Sequence, residues 1–226
     1  MNLKEELKSK VLLPIKKAGF EAYFVGGCVR DMLMGVEPHD FDITTNATPE
    51  DLHKIFSSFS NVSNNSEPFG VTMPLIKFSD DTVEEIEIAT FRKDITKGRH
   101  PRIEFTTSIQ EDAERRDFTV NAIYEDVDGN IIDPVKGADD IKANTLRFIG
   151  NAQDRISEDP LRIFRFVRFL ASKGFKSAHK ISEAMQWKAD FNDVSKERIL
   201  KELEKTFGGK YLFSNDPAPF MFFMAF

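Results

Sequence analysis

Apolar residues recur at helical spacing over residues 3–17, with Pro14 predicting a kink and Gly19 in the place of a C-terminal cap. Residues 21–25 (EAYFV) read as a strand, after which Gly26 and Gly27 turn the chain into a short helix over 29–34, closed by Gly35. A second strand is expected over 40–44. Alternate side chains of a strand share a face, so Asp40 and Asp42 should project together while Phe41 turns toward a core. Thr48, Pro49 and Glu50 supply an N-cap, a first helical residue and a first-turn acid for a helix through Phe56. Residues 71–78 and 82–91 flank Asp80-Asp81 as a hairpin, and the charged stretch 93–101, which contains Gly98, reads as a mobile loop. Ser108 and Glu111 have capping-box spacing for a helix ending near Arg116, and residues 120–127 pair with 130–133 across Asp128-Gly129. Beyond about Phe148 the pattern changes to helices alone, over 156–172, 178–188 and 195–205. The predicted class is α+β: a head over residues 1–148 with a mixed sheet and flanking helices, then an all-helical segment over 149–226.

The bulk numbers restrict what such a chain can do. Its 226 residues, 41% hydrophobic with 22 Phe, are enough for one core or for one domain and part of another, and the change of pattern favours the second. With 31 Lys and Arg against 37 Asp and Glu the net charge is -6, so nucleic-acid binding must come from a local patch rather than a basic coat. Cys28 is the only cysteine, which excludes an intrachain disulfide or a cysteine-based zinc site and points to a reducing compartment. Residues 1–10 lack the apolar core of a signal peptide, and no apolar run approaches the roughly 20 residues that span a bilayer. The expected location is cytoplasmic, away from membranes. The tail over 217–226 (PAPFMFFMAF) has no polar alternation, and is expected to meet a partner surface or to mark truncation; the oligomeric state is left open.

Three clusters carry candidate chemistry. Bare backbone N–H groups at the Gly26-Gly27 turn suit phosphate, and Arg30 one turn into the helix strengthens that reading over a merely tight connection. Asp40 and Asp42 are like charges that repel unless a cation lies between them, which favours a divalent metal. Glu87, on the polar face of the strand predicted around 83–91, is a candidate third carboxylate; a solvated strand face explains it equally well. The second cluster is RRDFTVN over 115–121. Helix-dipole compensation accounts for one arginine but leaves Asp117 and Asn121 unexplained, and Arg116, Asp117 and Asn121 together suit triphosphate and a ribose 2′-hydroxyl. The third is EDPLRIFRFVRF over 158–169. Here Ile163, Phe164, Val167 and Leu170 form one helical face and Asp159, Arg162 and Arg165 the other. Cytosine and adenine both present an amino donor beside a ring-nitrogen acceptor. A fixed Asp can accept from the amino group while an Arg donates to the ring, whereas guanine and uracil oppose both. Asp159-Pro160 is also a good helix start, and the arginines alone could be a solvated face.

Taken in order, these segments resemble the class II tRNA nucleotidyltransferase and bacterial poly(A) polymerase family, most closely the CCA-adding enzymes. The resemblance rests on GGCVRDMLMG (26–35), DFDITT (40–45), EIATFR (87–92), GRHP (98–101), RRDFTVNAI (115–123), EDPLRIFRFVRF (158–169) and SKERILKEL (195–203). It implies a palm-like nucleotidyltransferase head and a helical neck that templates the incoming base, C-terminally shortened with body and tail domains absent. It also implies CMP and AMP addition from CTP and ATP to the 3′ end of tRNA, with Asp40 and Asp42 holding Mg²⁺ and Glu87 as a further catalytic carboxylate. Gly26, Gly27, Arg30, Arg116, Asp117, Asn121, Asp159, Arg162, Arg165 and Arg168 would bind nucleotide. The loop at 98–101 resembles an element that helps switch from C to A addition, although Lys97 stands where an acidic residue often precedes the glycine. From Gly208 onward no family motif is present. A CC-adding or A-adding enzyme, a poly(A) polymerase, or a chain that binds nucleotide or RNA without turnover would share the same motifs.

Overall fold

A computed structural model of the chain describes residues 2–38, 40–57, 69–96, 102–192 and 194–208; the 98–101 motif and the apolar 217–226 tail lie outside them. The fold is α+β and divides into two compact units. The first comprises Met1–Ile95, Arg102–Arg115 and Asn121–Val135, and the second Thr96–Pro101, Arg116–Val120 and Lys136–Phe226.

In the first unit, α1 (Leu3–Leu7) starts at Asn2, whose side chain accepts the Lys4 N–H at 3.1 Å. It runs through a π-helical turn (Lys8–Leu12) into α2 (Leu13–Lys17). Pro14 has no N–H for the carbonyl four residues earlier, and the widened turn directly before it absorbs that defect. Leu7, Val11, Leu12 and Ile15 line the buried side. After β1 (Ala22–Val25), Gly26 takes φ 78° and ψ -125°, a conformation open essentially to glycine alone, and launches α3 (Gly27–Leu33). Strand β2 (Asp42–Thr45) starts two residues later than its sequence predicts. Asp40 therefore precedes the strand instead of alternating along it, and Phe41 packs its ring 5.3 Å from that of Phe24. Helix α4 (Pro49–Ile55) is capped reciprocally by Thr48 and Asp51.

The remaining elements of this unit are β3 (Val71–Thr72), β4 (Leu75–Lys77), β5 (Val83–Glu85), β6 (Ile88–Thr90), β7 (Arg92–Asp94), β8 (Ile103–Phe105), α5 (Ile109–Glu114), β9 (Tyr124–Asp126) and β10 (Ile131–Ile132). Among the described residues the main sheet has six strands in the order β10-β9-β1-β2-β6-β3, antiparallel except for the parallel β2–β6 pair. β4 and β5 form the expected hairpin, with Asp81 at φ 65° and Asp80 accepting the Thr82 N–H at 3.0 Å. Part of the predicted 93–101 loop is ordered strand, because β7 pairs antiparallel with β8. The 120–127 strand begins only at Tyr124, since Thr119–Asn121 winds into a 3₁₀ turn. Tyr23, Phe91 and Tyr124 form an aromatic cluster, and the buried Tyr124 hydroxyl donates to Asp112 at 2.9 Å.

The second unit contains α6 (Gly137–Lys142), β11 (Thr145–Leu146), α7 (Ala152–Glu158), α8 (Leu161–Lys173), β12 (Lys176–Ser177), α9 (Ile181–Ala184) and α10 (Lys196–Phe207). It is not wholly helical, for β11 and β12 pair in parallel. Nor is 156–172 one helix. Asp159 is extended, at φ -144° and ψ 102°, because a residue before proline is excluded from helical geometry by the pyrrolidine ring. The predicted 178–188 helix shrinks to α9. Phe118, Phe148, Phe166 and Phe175 are fully buried, with Phe148 and Phe166 stacked at 5.3 Å and Trp187 meeting both rings edge-on. On α8 the buried residues include Ile163, Phe166, Val167, Phe169 and Leu170. Phe164, predicted on the core face, is only half-buried, against Phe191. Among the described residues no helix is long and apolar enough to cross a membrane.

Truncating Phe166 to Ala should therefore cost about 3–5 kcal/mol in a urea unfolding experiment. Phe164→Ala should cost about 1 kcal/mol. Equal losses would contradict the observed face of α8.

Candidate functional site

In the first unit, the strand register brings the glycine turn to a carboxylate. Val25, the last residue of β1, is paired with Asp42, the first of β2, so the Gly26 turn leaves the sheet beside the Asp42 backbone. Asp42 is exposed at this edge, and so is Asp40 just before it. Across the parallel pair, Ile43 is opposite Ile88, which sets Glu87 beside Asp42. Glu87 lies immediately before β6 rather than within a strand. Partial desolvation, reinforced by the negative charge of Asp42, raises its carboxyl above its ordinary value. The same two influences push the buried Cys28 thiol up to about 11, which leaves it a neutral packing group. Arg30 is buried under the turn. Its Nη1 donates to Asn121 Oδ1 at 2.6 Å and its Nε to Asp31 at 2.9 Å, while Nη2 lies 3.6 Å from where a Gly27 side chain would begin. Gly26, Gly27, Arg30, Asn121, Asp42 and Glu87 thus form one local constellation. Arg115 serves elsewhere, held against the fully buried Asp112 at 2.7 Å. Among the described residues, no three His, Cys, Asp or Glu side chains converge into a metal-holding group.

The second unit assembles the other predicted residues around α8. Asp117 is buried; its Oδ1 accepts the Phe118 N–H at 2.8 Å, and its Oδ2 accepts Arg165 Nε and Nη2 at 2.8 and 2.6 Å. The Asp117 charge outweighs desolvation and holds Arg165 more firmly protonated. Glu202, on α10, lies 2.5 Å from Arg168 Nε and 3.9 Å from Arg165. Burial works against the charge on Arg168, and Glu202 partly offsets it. Arg162 donates to Glu158 and to the Arg155 carbonyl, both at 2.8 Å, and Arg155 in turn holds the Arg116 carbonyl at 2.7 Å. The Asp159 carboxylate accepts the Leu161 N–H at 3.2 Å and faces Arg198 Nη2 at 3.3 Å. Arg198 and Glu202 join this arrangement from outside the three motif clusters. The signal available was their i, i+4 spacing on one helix, which puts an arginine and a glutamate on the same face.

Residues 22–147, more than half of the chain, match the family model for the poly A polymerase head domain. The chain belongs to that family. It is 41% identical to the CCA-adding enzyme of Streptococcus uberis over 201 residues, 87% of this chain and 48% of that protein. It is 38% identical to the mitochondrial CCA tRNA nucleotidyltransferase 1 of Homo sapiens over 216 residues, 92% of this chain and 48% of that one. The solved structure of the Bacillus stearothermophilus CCA-adding enzyme in complex with CTP matches at a TM-score of 0.80 and 34% identity, covering 93% of this chain and 50% of that chain. The chain spans about half the length of the curated relatives it matches.

Asp117→Asn would leave Arg165 without its main counter-charge. Because a third of the Arg165 side chain reaches solvent, the expected loss in urea unfolding is about 2–3 kcal/mol, below that of a fully buried pair. Adding Arg165→Met should recover part of it. A wild-type midpoint for Asp117→Asn would show that the pair does not hold the second unit together.

Proposed function

We propose that this chain is an RNA nucleotidyltransferase that adds CMP and AMP from CTP and ATP to the 3′ end of tRNA, with residues 1–148 as its head and 149–226 as its base-reading neck. The observation that carries the proposal is the Val25–Asp42 register, which sets a phosphate-type glycine turn beside a carboxylate that Glu87 also faces. In the reaction the terminal 3′-hydroxyl of the RNA attacks the α-phosphate, a new phosphodiester forms, and pyrophosphate leaves. The backbone at Gly26 and Gly27 and the charge of Arg30 receive the triphosphate. Arg116, Asp117 and Asn121 are the residues proposed to recognise ribose and phosphate. Asp159, Arg162 and Arg165 read the base or contact triphosphate, with Arg168 as a further nucleotide-binding residue: the carboxylate accepts from the amino group shared by cytosine and adenine, and a guanidinium donates to the ring acceptor.

The mutual repulsion of Asp42 and Glu87 fits a cation held by the two carboxylates of Asp40 and Asp42, with Glu87 a further catalytic carboxylate outside that metal pair. Mg²⁺ suits such a site, since it is commonly held by one or two carboxylates and completed by water and substrate phosphates. When bound it supplies activation of the attacking hydroxyl and neutralisation of the leaving pyrophosphate. The proposed setting is cytoplasmic, a reducing compartment consistent with a single buried thiol.

The purified chain with Mg²⁺ should extend tRNA ending in the discriminator base, C or CC when supplied with CTP and ATP, and not with UTP or GTP. Asp40→Ala and Asp42→Ala should each lower transfer by more than the roughly 100-fold that loss of an outer-shell metal partner costs. Neither should change the melting temperature appreciably, and chelation of Mg²⁺ should abolish transfer. Extension by ATP alone would identify a poly(A) polymerase or A-adding enzyme, and extension by CTP alone a CC-adding one. Undiminished transfer in either aspartate variant would sink the assignment, and nucleotide binding without any extension would favour a binding protein.

A further inference from the structure

We infer that the outer face of the β11–β12 ladder is a seat for the phosphate backbone of RNA, formed by Arg147 and Lys176 with Lys142 beside them; the inference deepens the nucleotidyltransferase reading above and rests on it. Leu146, fully buried, decides which way the ladder faces. Its neighbours Thr145 and Arg147 turn to the opposite side, and Lys176, in register with Thr145, turns with them. Lys142 joins from the last turn of α6. Two residues on, the Asn144 carbonyl accepts the Lys176 N–H at 2.8 Å, and the Asn144 side-chain amide donates to the Gly174 carbonyl at 3.0 Å. Lys142, Arg147 and Lys176 are all exposed.

Arg147 is oriented before any ligand arrives. Its Nε donates to both carboxylate oxygens of Asp140 at 3.1 and 3.3 Å, and buried Asp140 also accepts the Thr119 hydroxyl at 2.7 Å. The Nη groups make no hydrogen bond among the described residues, and 52% of the side chain reaches solvent. A guanidinium held at Nε and open at Nη is a planar fork set for phosphate oxygens. The two lysines add charge without a counter-charge. Lys4, Lys16 and Lys77 of the first unit stand 2.6–2.7 Å from a carboxylate. Lys142 and Lys176 have no ion-pair partner among the described residues, although acids outnumber bases in the chain. Helix-dipole compensation accounts for Lys142 but not for Lys176 or Arg147. Helix α8, 13 residues and therefore ~20 Å long, separates Asp159 at its start from Lys176 beyond its end. At ~3.4 Å per stacked nucleotide, the seat meets RNA about six steps from the base-reading end. Phosphate contacts carry no sequence information, so acceptors of any sequence fit there.

The test is the affinity of the purified chain for tRNA as a function of salt, for wild type, Lys142→Gln/Lys176→Gln and Arg147→Lys, with CTP affinity and melting temperature measured alongside. Each phosphate-bound lysine removed should lower the slope of log affinity against log salt by about 1. Raising salt from about 50 to about 200 mM should then cost the double variant roughly 10-fold less affinity than it costs wild type. CTP affinity and melting temperature should not move. Arg147→Lys keeps the charge and loses the fork, and should weaken tRNA binding with the slope retained. A wild-type slope in the double variant overturns the seat and leaves the nucleotidyltransferase reading intact. Binding of phosphatidylserine vesicles but not of tRNA by the wild-type chain also overturns the seat, and failure of that chain to extend tRNA overturns the reading as well.

Discussion

Burying a carboxylate such as that of Asp117 removes it from water, and the fold meets that cost with two N–H groups of one guanidinium, Arg165. Much of the second unit is arranged around this bond. Arg165 must stand at the N-terminal half of α8, the 116–120 segment must present Asp117 to it, and the neighbouring Arg168 then needs an anion of its own. Glu202 provides one, which ties α10 along α8. Aromatic packing of Phe118 against Phe148 and Phe166 holds the same segment from the other side. The charged and apolar contacts therefore select the same placement of 116–120, a consistency expected of a well-specified fold.

The first unit is organised by backbone instead. Two hydrogen-bond registers, β1 against β2 and β2 against β6, bring Gly26, Asp42 and Glu87 to one end of the central strands. Because registers change in whole residues, a slip of one would send Asp42 to the other face. The buried Ile43 and Ile88, paired directly across the strands, oppose such a slip. An exposed, like-charged strand end is maintained by the apolar residues immediately behind it.

Local chemistry made much of this legible. Gly26 and Gly35, the Thr48-Pro49 start and the Asp80-Asp81 hairpin all rest on short-range backbone rules, and each stands where those rules put it. The exceptions lie where neighbours in space override neighbours in sequence. Residues 118–124 are so apolar that a strand and a buried turn look alike, and the chain chose a 3₁₀ turn for part of them. β8 and β12, of three and two residues, are too short to declare themselves, being strands only through their partners β7 and β11. Within the candidate site the chemical types were legible from the motifs. Arg198 and Glu202 acquire meaning only from the packing of α10, which no spacing within 158–169 could reveal.

The parallel pairing of Thr145–Leu146 with Lys176–Ser177 has a kinetic consequence. Joining two segments roughly 30 residues apart costs about 3 kcal/mol in chain entropy, more than two residues of ladder can return on their own. The pair cannot nucleate folding and must form after α7 and α8 have shortened the distance between its halves. It ties the segment before α7 to the segment after α8, the helix carrying Arg162, Arg165 and Arg168. A partly folded form in which that pair is open would leave the chain beyond α8 undocked, while Arg162 keeps its partner Glu158 one helical turn away.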